Sequence, residues 1–185
     1  MGRDGSGRNA AAGGAQAALQ DFDLNDDTVA DAFYDTDLNI TWLRDANLNG
    51  SMNWATAVSW ADNLSFGGYT DWRLPNTTGL CTGYDCTCSE AGHLGYVELG
   101  NSAGAMTNTG AFQNLLPANY WAAEYAAVSA FNLGTSDGLP GVSNKGNTFL
   151  AMAVRPGDIA AAIPEPETYS LMLAGLAAVT LARRR

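Results

Sequence analysis

Asp23, Asn25 and Asp27 alternate along the chain, and Asp31 follows four residues later. This sets hard oxygen donors at positions 1, 3, 5 and 9 of a short loop, the kind of set that calcium takes from a tight turn. Seven acids crowd into residues 21–37 around them. Two positions depart from a standard calcium loop: Thr28 stands where the turn glycine belongs, and position 12 is Tyr34, with Asp35 next to it. The segment reads either as a calcium site built from Asp23, Asn25, Asp27 and Asp31 or as a solvated acidic lead-in to the first strand. Calcium is the one cofactor the sequence suggests.

The second grouping is Cys81, Cys86 and Cys88 with His93, the sole histidine. Three thiolates and an imidazole have the composition of a zinc site, but Cys-x-Cys is tight for tetrahedral structural zinc. His93 falls on a short helix expected to begin near Ser89, where it reads as a structural residue. No Gly-x-Ser-x-Gly, phosphate-cradling glycine loop or His-Glu-x-x-His occurs, and those are the patterns that would signal acyl transfer, nucleotide binding or metalloproteolysis. Carboxylate pairs carry no weight in so acidic a chain. The expectation is a protein that is not an enzyme. The aromatics Tyr69, Tyr84, Tyr96, Tyr120, Trp121 and Tyr125 are candidate stacking platforms for sugars.

The elements that must position these groups are short. Residues 18–163 carry 16 Asp and Glu against four cations, Arg44, Arg73, Lys145 and Arg155, and the whole chain has a formal charge of −10. Nucleic acid and anionic lipid are therefore excluded as partners, because both are bound by Lys and Arg. About 145 residues suffice for one domain with a real core. Frequent glycine and scarce helical periodicity predict a loop-rich α+β fold. Residues 32–43 read as one or two short strands and 44–50 as a turn-rich loop. Asn53 can cap a helix over residues 54–64, with Trp54, Ala57, Val58, Ala61 and Leu64 on one face. Gly67-Gly68 stops it. Arg73 lies in an apolar extended segment, which predicts a partly buried ion pair with Asp71 or Asp45.

Both ends of the chain have the look of addresses. Pro164-Glu165-Pro166 forces an extended backbone. An apolar, helix-compatible run follows over residues 169–182, shorter than the ~20 residues that cross a bilayer comfortably, and Arg183, Arg184 and Arg185 close the chain. This tripartite tail resembles the PEP-CTERM sorting signal. The resemblance implies export in a Gram-negative bacterium, transient membrane insertion, processing by an exosortase-type enzyme, and a destination at the cell envelope, outer surface or exopolysaccharide matrix. At the other end, residues 1–17 hold Arg3 and Arg8 but no apolar stretch, and Ala15-Gln16-Ala17 fits the small-x-small cleavage rule. We read them as the disordered remnant of an export signal.

The body carries a second resemblance. Thr41-Trp42-Leu43-Arg44-Asp45-Ala46-Asn47, Trp54 through Trp60 with Leu64, and Phe66-Gly67-Gly68-Tyr69-Thr70-Asp71-Trp72-Arg73-Leu74-Pro75 are its early pieces. Gly92-His93-Leu94, Tyr120-Trp121 with Glu124-Tyr125, and Ala153-Val154-Arg155-Pro156-Gly157 are later ones. Together they resemble the C-terminal domain of Legionella collagen-like adhesins over residues 33–158. The resemblance implies a single C-type-lectin-like domain, with Arg73 after the first helix and Arg155 in a late core strand. It implies adhesion to a polysaccharide or surface component, for which Tyr120, Trp121 and Tyr125 are the expected ligand-binding residues. It also implies a disulfide between Cys81 and Cys86, whose loop Gly83 helps to turn, leaving Cys88 over. Neither the Glu-Pro-Asn nor the Trp-Asn-Asp motif of calcium-dependent lectins occurs in the body. The expected organisation is an acidic lead-in at 18–37, the lectin-like domain at 38–158, a linker at 159–168, and a hydrophobic sorting helix with its basic end at 169–185. The rival reading is a calcium-stiffened structural matrix protein with no specific ligand.

Overall fold

The computed structural model describes residues 19–25, 27–77 and 81–158. The sorting residues Pro164, Glu165, Pro166 and Arg183 to Arg185, the apolar tail and residues 1–17 lie outside the described residues. No helix among the described residues is long and apolar enough to cross a membrane.

Strands β1 (Leu19–Phe22), β2 (Ala32–Asp35), β3 (Ile40–Leu43) and β7 (Val154–Pro156) form one antiparallel sheet in the order β1-β2-β3-β7. Strands β4 (Asn119–Ala126), β5 (Ser129–Gly134) and β6 (Pro140–Asn144) form a second antiparallel sheet. Helix α1 is Trp54–Asp62. Helix α2 is Glu90–His93, and it runs directly into a π-helical turn over Leu94–Glu98. The α+β class is therefore observed. The acidic lead-in is not a separate piece: β1 and β2 belong to the first sheet, with Phe33 opposite Trp42. Composition hid this, because the acids at 21, 23, 31 and 35 mask the apolar residues Leu19, Phe22, Ala32 and Phe33.

The core is built around one extended run, Leu150-Ala151-Met152-Ala153-Val154, all of it buried. Side chains of an extended segment alternate between two faces. Leu150, Met152 and Val154 pack with Phe33, Trp42, Leu94, Phe112, Tyr120 and Leu133. On the other face, Ala151 packs with Ala57 and Ala61 of α1 and with Trp121, while Ala153 packs with Leu43 and Trp72. The same run ties the sheets together, since Leu43 N–H bonds to the Ala153 carbonyl at 3.0 Å and Trp121 N–H to the Leu150 carbonyl at 2.9 Å.

Helix α1 starts where the sequence predicts it but ends at Asp62, capped by Asn63, ahead of the expected stop at Gly67-Gly68, which instead turn the chain between Phe66 and Tyr69. The Asn53 side chain accepts from Thr56 N–H at 2.9 Å, which satisfies one orphan donor of the first turn. Small Ala57 and Ala61 let the helix approach the core closely, and Trp54 Nε1 donates to the Ala122 carbonyl at 2.9 Å.

Arg73 is paired, but with neither expected acid. It makes a fork-to-fork pair with Glu90, both contacts at 2.7 Å. Glu90 sits in the first turn of α2, which Ser89 caps by accepting from Gly92 N–H at 2.9 Å. Asp71 belongs instead to Arg155, at 2.7 and 3.0 Å. Asp45 accepts from the Asn114 amide at 3.0 Å. The correction has a geometric cause. On an extended strand, residues two apart share a face, but the Thr77–Ser89 bridge and the bond from Glu90 N–H to the Asn76 carbonyl at 3.0 Å set the start of α2 beside Arg73.

Candidate functional site

The expected ligand-binding trio divides. Tyr120 and Trp121 are each 1 % exposed. Trp121 packs against Phe149 with ring centroids 4.5 Å apart, and its indole N–H donates to the Met52 carbonyl at 2.8 Å. The Tyr120 hydroxyl donates to the Asn114 carbonyl at 3.3 Å and accepts from Leu116 N–H at 2.9 Å. Burial raises its phenol above the ordinary value, so it stays neutral. Both rings are core, and neither offers the open face on which a sugar could stack. Tyr125, on the same strand, is 50 % exposed. The bulges that interrupt β4 between Trp121 and Ala126 carry the chain from core to surface.

Tyr125 does not stand alone. Its ring meets Phe131 of β5 edge to face, with centroids 5.0 Å apart. Phe131 lies directly opposite Val142 of β6, which is exposed. Cross-strand partners of an antiparallel pair share a face. The outer face of the second sheet thus carries an apolar ladder, Tyr125-Phe131-Val142. Lys145 follows β6 beside it, paired with Glu124 and set over the Trp54 ring at 4.2 Å. Neighbouring strands hold these side chains, so the surface is preorganised. Phe131 is the aromatic member that sequence reasoning missed. The available signal was its strand period, since Phe131 alternates with the buried Ala130 and Asn132.

The other aromatics are placed differently. The Tyr96 hydroxyl is fixed to the Gly138 carbonyl at 2.8 Å. Tyr69 lies under the Arg155 guanidinium, 4.3 Å from its ring centre. Tyr84 is exposed, in the cysteine loop.

A cavity of about 270 Å³ lies on another part of the molecule, lined by Leu94, Leu99, Met106, Leu115 and Met152 among others. Its polar groups already serve the loops that form it. Asn101 donates to the Gly95 and Asn108 carbonyls, and the Asn108 side chain donates to the Leu99 carbonyl. A sugar entering there would find few unspent polar partners.

The side chains of the acidic loop are turned onto its own backbone. Asp23 accepts from the backbone N–H groups of Asn25, Asp27 and Thr28. Asn25 accepts from Asp27 N–H and Asp27 from Val29 N–H, while Asp31 reaches back to Leu24 N–H at 3.0 Å. Thr28, in the turn-glycine position, adopts a left-handed backbone with φ of 71°. The oxygens organise the loop's own backbone first, and carboxylates retain further lone pairs beyond those bonds.

The three cysteines converge. Cα separations are 5.7 Å for Cys81–Cys86 and 5.9 Å for Cys81–Cys88, both within disulfide range. One sulfur forms one disulfide, so Cys86 and Cys88 are alternative partners of Cys81. Cys88 is no bystander to the expected pair.

A family model described as the Lcl C-terminal domain matches residues 31–155. One described as the PEP-CTERM protein-sorting motif matches residues 162–185. No curated protein matches the chain.

Proposed function

The chain belongs to the Lcl C-terminal domain family, and from that premise we propose that it is an adhesin-like module holding carbohydrate on the outer face of its second sheet. The PEP-CTERM motif marks it for export and exosortase processing, which fits a protein of the bacterial envelope or surface. We place its working site in a Gram-negative cell-surface or exopolysaccharide matrix. We also read its two sheets and flanking helices as C-type-lectin-like, in a unit that begins at β1, and its role as non-enzymatic.

The observation that carries the binding reading is the exposed Tyr125 ring, braced edge to face by the half-buried Phe131 on the second sheet. An aromatic ring presents a flat apolar face with a polar tip, which suits the C–H face and hydroxyl rim of a pyranose. The acidity of the body favours neutral glycans over sulfated ones, which like-charge repulsion disfavours. Retention of the full chain on neutral polysaccharides tests this. Tyr125→Ala should lose retention while melting as the parent does, and Phe131→Ala, which removes the half-buried ring beneath it, should lose retention with a lower melting temperature. Equal retention by both variants, or no glycan retained by the parent, would refute the assignment.

A second reading, a calcium-stiffened spacer without a specific ligand, rests on the oxygen donors that Asp23, Asn25, Asp27 and Asp31 supply to one short loop. A large rise in melting temperature on adding calcium, with no glycan retained, is its signature.

A further inference from the structure

His93, Glu98 and Asp35 come from three parts of the fold and meet in one place. His93 closes α2, Glu98 closes the π-helical turn, and Asp35 ends β2. One ring nitrogen and one oxygen from each carboxylate all lie within 4.8 Å of one another. His93 Nε2 is 3.2 Å from Glu98 Oε1. The π turn matters here. It bonds Leu99 N–H to the Leu94 carbonyl, five residues back, and such turns often mark functional positions in helices. It lets residues 93 and 98, five apart, face each other.

The two acids are buried, each with one oxygen left without a partner. Asp35 is 0 % and Glu98 2 % exposed. Asp35 Oδ1 accepts from Asp37 and Leu38 N–H, but its Oδ2 has no partner, and neither has Glu98 Oε2. Asp37 adds a third carboxylate at the rim, 4.0 Å from His93 Nε2 and half exposed. The four described cations are engaged elsewhere: Arg44 with the Ala30 and Ala111 carbonyls, Arg73 with Glu90, Lys145 with Glu124, and Arg155 with Asp71. Burying unpaired carboxylates is costly. A structure that places two of them against an imidazole is arranged for a positive charge from outside.

We propose that Asp35, His93 and Glu98 form a divalent transition-metal site, with zinc the cation whose coordination chemistry fits best and Asp37 lying at its entrance. One nitrogen and two carboxylate oxygens suit zinc, at ligand distances of ~2.0–2.2 Å, whereas calcium prefers oxygen donors throughout. An ion among these atoms would take up the two orphan oxygens and replace the contact between His93 and Glu98. It would lock α2 and the π turn to β2, so the role is structural.

The test uses the full chain, stripped by chelator and with any free thiol alkylated so that the cysteines do not compete. Zinc is titrated by calorimetry and, in parallel, by NMR of the imidazole ring. His93 is the sole histidine, so its ring signals report on this place alone. We expect one zinc per chain, ring resonances that move in step with saturation, no movement with calcium, and affinity ~10-fold or more weaker in Glu98→Gln. Absence of zinc binding, or saturation that leaves the ring resonances where they were, would overturn the proposal. The ring measurement is made on the unaltered chain, so it decides the matter even where Glu98→Gln fails to fold.

Discussion

Trp121 and Tyr125 stand four residues apart on β4, one in the core and one in water. Truncating the first leaves a large cavity and removes the indole bond to the Met52 carbonyl, which keeps only its bond from Phe149 N–H. Trp121→Ala should cost about 3–5 kcal/mol, whereas Tyr125→Ala should change stability by no more than about 0.5 kcal/mol. Chemical denaturation of the two variants measures the contrast. The sequence did not distinguish them because strand alternation fails here: Tyr120, Trp121 and Ala122 are consecutive and all buried. Ion pairs were legible in kind and not in partner. Arg73 announced a buried pair, but Asp71, its neighbour, bonds to Arg155 across 84 positions. That bond, opposed in part by burial, holds the Asp71 carboxyl below its ordinary 3.8. A depressed carboxylate contributes stability above its unfolded pKa and loses it as the pH falls through the folded value. Asp71→Asn should therefore melt lower than the parent at neutral pH, and the gap should close on acidification below 3.8. Asp71 is about half exposed, so solvent screening keeps the effect small. A gap that stays constant in acid would contradict the assignment.

At the scale of elements, α1 was legible because two independent signals agree, the Asn53 cap and the spacing of Ala57 and Ala61, while its end at Asn63 was not. Strand β3 was legible from its β-formers, Ile40, Thr41 and Trp42. The π-helical turn was not, since nothing local separates Leu94–Glu98 from a continuing α-helix. Asp35 and Glu98 could not be linked across the intervening chain. The cysteine loop is an element whose covalent form is testable. Cys86→Ser and Cys88→Ser should each keep one disulfide, to the remaining partner of Cys81, while Cys81→Ser should break both arrangements and melt lowest. Thiol titration of the unfolded variants gives the count. Equal loss in Cys86→Ser and Cys81→Ser would show that only one pairing forms.

For the whole molecule, the two resemblances legible in the sequence correspond to the two family matches, and the α+β class follows from the observed sheets. What composition obscured was where the fold starts. Acids at alternate positions resemble a linker even when Phe22 and Phe33 seat the strands. The body and tail together describe an adhesin-family domain that carries a signal for export and exosortase processing. The intact mass of the chain recovered from the producing cell's surface tests this most directly. The account predicts a species ending near Pro164-Glu165-Pro166, without Arg183, Arg184 and Arg185. A chain found only in the cytosol, with its final arginines still attached, would contradict it.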